Sequence, residues 1–319
     1  MDKMKLKDIF NRIKAYEKII VLPHARPDGD CIGSAIGLRE ILKASFPEKE
    51  VYASGEISEF TSFIGSLDQI EDEVFKDALV IAVDTATKDR IADQRYDKGA
   101  YLIKIDHHLP VDNYGDLDYV DTKRPAAALI IMDFFQLFKA ELSITEQGVQ
   151  ALYTGILTDT GRFKYEGVDG DTFRSVAMLY DQGLKPEKVY AHLDTKSEAL
   201  VRFKGYVLLN YQKTPNGVAY IKITHELCDE YGVSIEEAAS LVNELSVFED
   251  CPVWALFAEY EEKIVRGRLR SKGPAVNEVA NQFDGGGHPM ASGVNLGTLD
   301  KVAVILESLD KLAQDYKNT

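Results

Sequence analysis

Residues suited to chemistry fall in five short motifs, four of them in the first half of the chain. These four are His24-Ala25-Arg26-Pro27-Asp28-Gly29-Asp30, Asp84, Asp106-His107-His108 and Thr158-Asp159-Thr160-Gly161. The fifth, Gly285-Gly286-Gly287-His288 with Ala291-Ser292-Gly293, lies far downstream. Carboxylates crowded at one point repel each other unless positive charge lies between them, and a pair of divalent cations is the usual answer. Carboxylate oxygens with two imidazoles suit Mn2+ better than Zn2+, because no cysteine has ligand spacing. Two such ions acidify a water and neutralise charge growing on a phosphate under attack. A two-metal phosphoesterase is the economical reading.

Each motif also has a plainer reading. An Asp-Gly turn capping a helix would carry the letters of Asp28 to Asp30. Asp84 could cap a helix that follows a strand, and Asp159 could sit in a C-terminal turn. Adjacent histidines after a buried strand are harder to explain so, since they point to different sides and a neighbouring carboxylate can orient an imidazole. Three successive glycines allow positive φ and close approach of backbone N–H groups to a phosphate, although a flexible loop would read alike. Arg266, Arg268, Arg270 and Lys272 alternate and would share one face of a strand. A solvated edge strand would do the same. His192 and His225 stand outside any motif, and Cys31 reads as a packing residue.

The elements that must position these groups are legible as apolar runs. Strands are expected at Ile19–Leu22, Val51–Ala53, Ala78–Val83 and Ala100–Ile105, with helices at Ser34–Leu42, Ala126–Phe138 and Thr145–Leu157. Strands alternating with helices imply right-handed crossovers and a parallel, doubly wound α/β sheet. Ligands bind beyond the carboxyl ends of such strands, where His24, Asp84 and Asp106 fall. From about Pro186 the pattern changes. Lys196–Leu209 reads as a helix running into a strand at Val207–Gln212, paired across Pro215-Asn216-Gly217 with Val218–Ile223. A helix at Ser234–Leu245 and a hairpin of Val253–Tyr260 with Ile264–Arg270, turning at Glu261-Glu262, complete a smaller mixed α/β domain. The expected division is 1–186, a linker helix over 187–205, and 206–319.

With 319 residues, 45% of them hydrophobic and 28% charged, the chain has the length and composition of a two-domain globular protein. No apolar stretch is long enough to span a bilayer, and the first residues lack a signal peptide's apolar core. Three scattered cysteines argue against a disulfide framework, so the expected compartment is the cytoplasm. The net charge of −15 opposes non-specific grip on long or duplex nucleic acid. Short nucleotides, short single-stranded RNA among them, are the favoured partners. The sequence leaves the oligomeric state open, a homodimer included.

Taken together, the chain resembles the DHH phosphoesterases, named for the triplet at 106–108, with a DHH-associated domain marked by Gly285 to Gly293. The nearest subgroup is the small oligoribonucleases that also dephosphorylate 3'-phosphoadenosine 5'-phosphate (pAp). The resemblance implies one Mn2+ on His24, Asp28 and Asp84, and a second on Asp30, Asp84, His107 and Asp159, with Mg2+ or Co2+ as substitutes. It implies that Asp106 orients the histidines, that His108 faces the substrate phosphate, and that Arg270 and His288, with Gly285, Gly286 and Gly287, take the terminal phosphate or nucleotide. The stretch Arg124-Pro125-Ala126-Ala127-Ala128 departs from the family pattern, which is rich in hydroxyls here. The implied activity is hydrolysis of pAp and short oligoribonucleotides. Cleavage of a linear or cyclic dinucleotide (pApA, c-di-AMP) is the alternative, and a non-catalytic nucleotide sensor is the alternative of another class.

Overall fold

The computed structural model describes residues 2–260 and 263–318, so the turn expected at Glu261-Glu262 lies outside the described residues. The chain divides into two compact units, Met1–Asp194 and Thr195–Thr319.

The first unit opens with α1 (Lys3–Ala15), capped by Asp2, whose carboxylate accepts the N–H groups of Met4 and Lys5. Leu6, Ile9, Phe10 and Ile13 recur at helical spacing and are buried. Next come β1 (Lys18–Leu22), α2 (Gly29–Ser45), β2 (Glu50–Ala53), the single turn α3 (Asp72–Phe75), β3 (Leu79–Val83), β4 (Tyr101–Asp106) and β5 (Leu117–Val120). The helices α4 (Ala127–Leu137), α5 (Glu146–Asp159), α6 (Gly170–Asp181) and α7 (Pro186–Asp194) complete it. The five strands are all parallel, in the order β2-β1-β3-β4-β5. Every residue of β3 is buried, as a central strand covered on both faces requires. Ile19, Val21, Leu79, Ile81, Ile103 and Ile105 pack on one face beneath the helices, and Ile20, Leu22, Val80 and Ala82 pack on the other around Phe75 and Ile91. The strand order reverses between β1 and β3, and open α/β sheets bind ligands at such a switch point. The fold places His24, Asp84 and Asp106 there.

The second unit contains α8 (Glu198–Asn210), β6 (Gln212–Lys213), β7 (Val218–Ile223), α9 (His225–Tyr231), α10 (Ile235–Ser240), β8 (Val253–Glu259), β9 (Val265–Ser271), α11 (Val276–Ala280), β10 (Gly285–His288), β11 (Ala291–Gly297) and α12 (Lys301–Lys317). Its six-stranded sheet has the order β10-β11-β9-β8-β7-β6 and is mixed: β7 and β8 are parallel, the other pairs antiparallel. The strand expected at Val207–Gln212 is instead mostly the end of α8. Leu200, Phe203 and Val207 are buried three and four residues apart, and that helical stripe overrides the strand preference of Val207. The helix expected at Ser234–Leu245 stops at Ser240 and tightens into a 3-10 turn over Leu241–Val247. The segment 187–205, expected as one linker helix, holds parts of two: α7 ends at the unit boundary, Asp194, and α8 begins at Glu198. Among the described residues, no helix is long and apolar enough to cross a membrane.

Candidate metal centre and phosphate-binding residues

The four upstream motifs converge. His24 leaves the end of β1 and forms an isolated antiparallel bridge with Ile91. Its Nδ1 lies 2.9 Å from the Ala25 carbonyl, a contact that needs a proton on Nδ1 and leaves the Nε2 lone pair to the centre. Nε2 is 3.4 Å from Asp28 Oδ2 and 3.7 Å from Asp84 Oδ2. Asp28 caps α2 through Oδ1, which accepts from the backbone N–H groups of Asp30 and Cys31, so Oδ2 remains turned to His24.

Asp30, the second residue of α2, is fully buried. Its carboxylate accepts the N–H groups of Ala127 and Ala128 at the start of α4, and the Ser34 hydroxyl at 3.3 Å. The alanine-rich stretch therefore serves the site through its backbone, and this role needs no hydroxyl. The φ of Gly29 is not positive, so what the glycine supplies there is space. A Cβ there would fall 2.5 Å from Thr158 Oγ1, and one on Gly155 would fall 2.8 Å from Asp30 Oδ1. These glycines let α2 and α5 approach closely, which carries Asp159, the last residue of α5, to the centre.

Asp84 follows β3 with φ +52°, a left-handed conformation that costs energy for any residue bearing a Cβ. Its N–H donates to the Ile105 carbonyl, and its Oδ1 is buried without a hydrogen-bond partner. That oxygen is 3.3 Å from His107 Nε2, which is likewise buried and unpartnered. Asp159 Oδ2 is also 3.3 Å from His107 Nε2, and Asp30 Oδ2 is 4.0 Å from it.

Asp106 was expected to orient both histidines, but it orients one ring. Its Oδ1 accepts the N–H groups of His107 and His108 and lies 2.8 Å from His108 Nδ1. The His107 ring is set instead by the Arg124 carbonyl, 3.2 Å from Nδ1. Burial would raise the Asp106 carboxyl, but the hydrogen bond and charge of His108 take it down to about 2. Asp84 and Asp159 are pushed well above the usual carboxylate range by burial and then by the neighbouring carboxylates; Asp30 moves in the same direction. Ionised together, these groups require compensating positive charge.

The donors fit a divalent ion. Potential ligand atoms of Asp84, His107 and His108 lie within 4.8 Å of one another, as do those of Asp30, His107 and Asp159, and those of His24, Asp28, Cys31 and Asp84. Cys31 is the odd member, since burial and nearby carboxylates raise its thiol well above the ordinary value and its Sγ donates to the Asp28 carbonyl. It remains a packing residue.

Two residues were missed by sequence reasoning. Lys104 on β4 is completely buried, and its Nζ donates to the carbonyls of Ala86 and Asp112. A lysine inside an otherwise apolar parallel strand was the available signal. Arg90 lies against His24, with Nη2 3.4 Å from Nδ1, and only tertiary structure brings the two together.

In the second unit, Arg270 on β9 is paired with Ala291 on β11, and Ala291 with His288 on β10. Directly paired residues share a face, so the register places Arg270 and His288 on one side of the sheet. Arg266 and Arg268 share that face as expected; Arg266 lies over the Tyr260 ring and Arg268 pairs with Glu236 at 3.1 Å. Gly285 to Gly287, for which a flexible loop was the plainer reading, belong to the edge strand β10. His192 stacks on Phe63 and His225 contacts Asp229, both away from these motifs.

Comparison with known proteins agrees with this architecture. The DHH family, N-terminal domain, matches residues 18–156, and the DHHA1 domain matches residues 216–315. A probable bifunctional oligoribonuclease and PAP phosphatase NrnA of Streptococcus mutans is 38% identical over 96% of this chain and 98% of its own. The bifunctional oligoribonuclease and PAP phosphatase NrnA of Bacillus subtilis is 35% identical over 97% and 99%. A crystal structure of an exopolyphosphatase-related protein from Bacteroides fragilis superposes with a TM-score of 0.88 at 23% identity, covering 99% of this chain and 97% of that one, and shares the fold. With its triplet at the end of β4 and a DHHA1 domain downstream, the chain belongs to the DHH family of metal-dependent phosphoesterases.

Proposed function

We propose that the protein hydrolyses phosphoesters of short nucleotides, namely pAp and short oligoribonucleotides, using two Mn2+ ions. The observation that carries this reading is the pair Asp84 Oδ1 and His107 Nε2, buried, unpartnered and 3.3 Å apart among four further ligand-type residues. Buried polar atoms without partners are expensive, and a metal ion satisfies both at once. His24, Asp28 and Asp84 hold one ion, and Asp30, Asp84, His107 and Asp159 the other. When bound, the ions supply Lewis acidity and lower the pKa of coordinated water. The chain's own residues do the rest. Asp106 fixes His108, which meets the substrate phosphate and delivers a proton to the departing oxygen. The DHHA1 residues Arg270 and His288, with the backbone of Gly285 to Gly287, bind the terminal phosphate or nucleotide. Names of the similar proteins from S. mutans and B. subtilis point to the same substrates.

The test is release of phosphate or mononucleotide in Mn2+, comparing pAp, a 5'-phosphorylated diadenylate, a short RNA, a long single strand and pyrophosphate. Turnover confined to the short nucleotides is expected. Turnover of pyrophosphate or the long strand alone would overturn the reading, and binding without release on every substrate would install a sensor in its place.

A further inference from the structure

Arg90 lies beside this centre, and the ligand scheme above gives it no task. Its backbone is clamped to the end of β1. The Ala25 N–H donates to the Arg90 carbonyl at 2.7 Å, the Ala92 N–H donates to the Pro23 carbonyl at 3.0 Å, and His24 bridges to Ile91. The 3-10 turn Lys88–Arg90 is tied a second time where the Lys88 N–H meets Asp112 Oδ2. The guanidinium is thereby delivered to the His24 ring, but the 3.4 Å approach to Nδ1 is not a hydrogen bond. Nδ1 already gives its proton to the Ala25 carbonyl, so both nitrogens are donors.

Among the described residues, no carboxylate pairs with Arg90, although Asp28, Asp84 and their neighbours make the region strongly anionic. Its Nη2 lies 3.4 Å from Nδ1 of His24, and Nε2 of the same ring lies 3.7 Å from Asp84 Oδ2, so the guanidinium stands beside the centre. A guanidinium that closes no ion pair keeps its donors available. Their planar fork matches phosphate oxygens better than a point charge does. A metal-ligand role is excluded, because arginine has no lone pair to offer at any working pH.

We propose that Arg90 is a catalytic residue that binds the non-bridging oxygens of the scissile phosphate and stabilises the charge gathering on them. The proposal rests on the phosphohydrolase reading. In that hydrolysis the oxygen of water bonds to phosphorus as the P–O ester bond breaks. The electron pair leaves with the ester oxygen, which takes up a proton, and the other water proton is released or stays on the phosphate. Arg90 keeps its proton throughout and contributes only charge and hydrogen bonds.

The experiment compares wild type, Arg90→Ala, Arg90→Lys and Lys88→Ala, the last an exposed cation on the same turn. Three quantities are read: bound manganese per chain, turnover of pAp, and calorimetric affinity of the Mn2+-loaded protein for inorganic phosphate, which needs no turnover. Arg90→Ala is expected to lower kcat roughly 100- to 1000-fold, as removal of one transition-state donor does. Its phosphate affinity should fall about tenfold, the worth of one charge-assisted hydrogen bond. Manganese content should be unchanged, Arg90→Lys should recover part of the loss, and Lys88→Ala should match wild type. Turnover by Arg90→Ala within about twofold of an active wild type, or a loss that tracks lost manganese, overturns the proposal. If wild type itself hydrolyses no short nucleotide, the phosphohydrolase reading fails separately. Phosphate affinity then judges Arg90 alone: equal values for wild type and Arg90→Ala overturn its binding role, and a weakened variant upholds it.

Discussion

Lys104 Nζ lies 3.4 Å from Asp106 Oδ2, with both side chains completely buried two residues apart on β4. Residues i and i+2 of a strand face the same side, so the lysine reaches the carboxylate from within the protein. Asp106 Oδ2 has no hydrogen-bond partner, and the lysine is its compensating charge. Through Ala86 and Asp112, the same ammonium ties together the chain after β3 and the chain after β4. The charge that fixes His108 is thus itself held in place by Lys104.

Lys104→Met should therefore damage stability and activity together. Removing one partner of a buried pair costs about 3–5 kcal/mol because the other charge is stranded. Loss of a group that orients catalytic residues costs roughly 10- to 100-fold in activity. The double variant Lys104→Met/Asp106→Asn discriminates, since it removes both charges. Its thermal stability should return toward wild type while kcat stays low. A double variant as unstable as the single one would show that the ion pair is not what Lys104 supplies.

Asp84→Asn separates the needs of the fold from those of the chemistry. The carboxylate is buried, strained and repelled by its neighbours, so in metal-free protein it opposes folding. Asparagine preserves the shape, tolerates the left-handed backbone and carries no charge. Turnover should fall by more than about 100-fold, beyond what outer residues of metal sites contribute, while the melting temperature of the metal-free protein holds or rises. Retained turnover would remove Asp84 from the ligand scheme.

The strand-end residues were legible because apolar runs mark β1, β3 and β4, and the chemistry begins where each run stops. The grouping of Asp159 with Asp30 was legible only through the resemblance, since it depends on the glycine contacts between α2 and α5. Backbone donation from Ala127 and Ala128 could not be read at all: the letters suggest missing hydroxyls, and the N–H groups of a helix start are invisible in them. Arg90 belongs to the same class, because its approach to His24 follows from a bridge between distant segments. Val207 was misread for a different reason, as a local strand preference gave way to a buried helical stripe.

The DHHA1 residues offer a test of substrate capture apart from metal binding. Arg270→Ala should raise KM for a 5'-phosphorylated dinucleotide at least about tenfold while kcat changes little, the signature of lost uniform binding. Gly286→Ala is the companion. A Cβ there meets nothing closer than Asn281 Oδ1 at 3.5 Å, so the fold should tolerate it, and a raised KM would report a phosphate resting on that backbone. Gly287 has φ +136°, and its added Cβ would lie 2.7 Å from the Ala291 carbonyl. Gly287→Ala should therefore lower thermal stability, by about 1–3 kcal/mol. Unchanged KM in both Arg270→Ala and Gly286→Ala would move the phosphate site elsewhere.

The crowded carboxylates also set a pH dependence. Asp84, Asp159 and Asp30 have folded pKa values above their unfolded ones. Their favourable contribution is thus fully present below the unfolded value, about 3.9, and is lost as pH rises through the folded values. Metal-free protein should lose melting temperature as pH rises above about 4, because ionising the cluster forces like charges together. Manganese replaces those protons, so its binding should release protons and add more to the melting temperature at the higher pH. Calorimetry of EDTA-treated and Mn2+-loaded protein across this range measures both slopes. Asp84→Asn removes one of the carboxylates held well above the usual range and should flatten the metal-free curve. A metal-free protein that gains stability as pH rises over this window would mean that the cluster is already compensated without metal, and the two-ion scheme would lose its electrostatic basis.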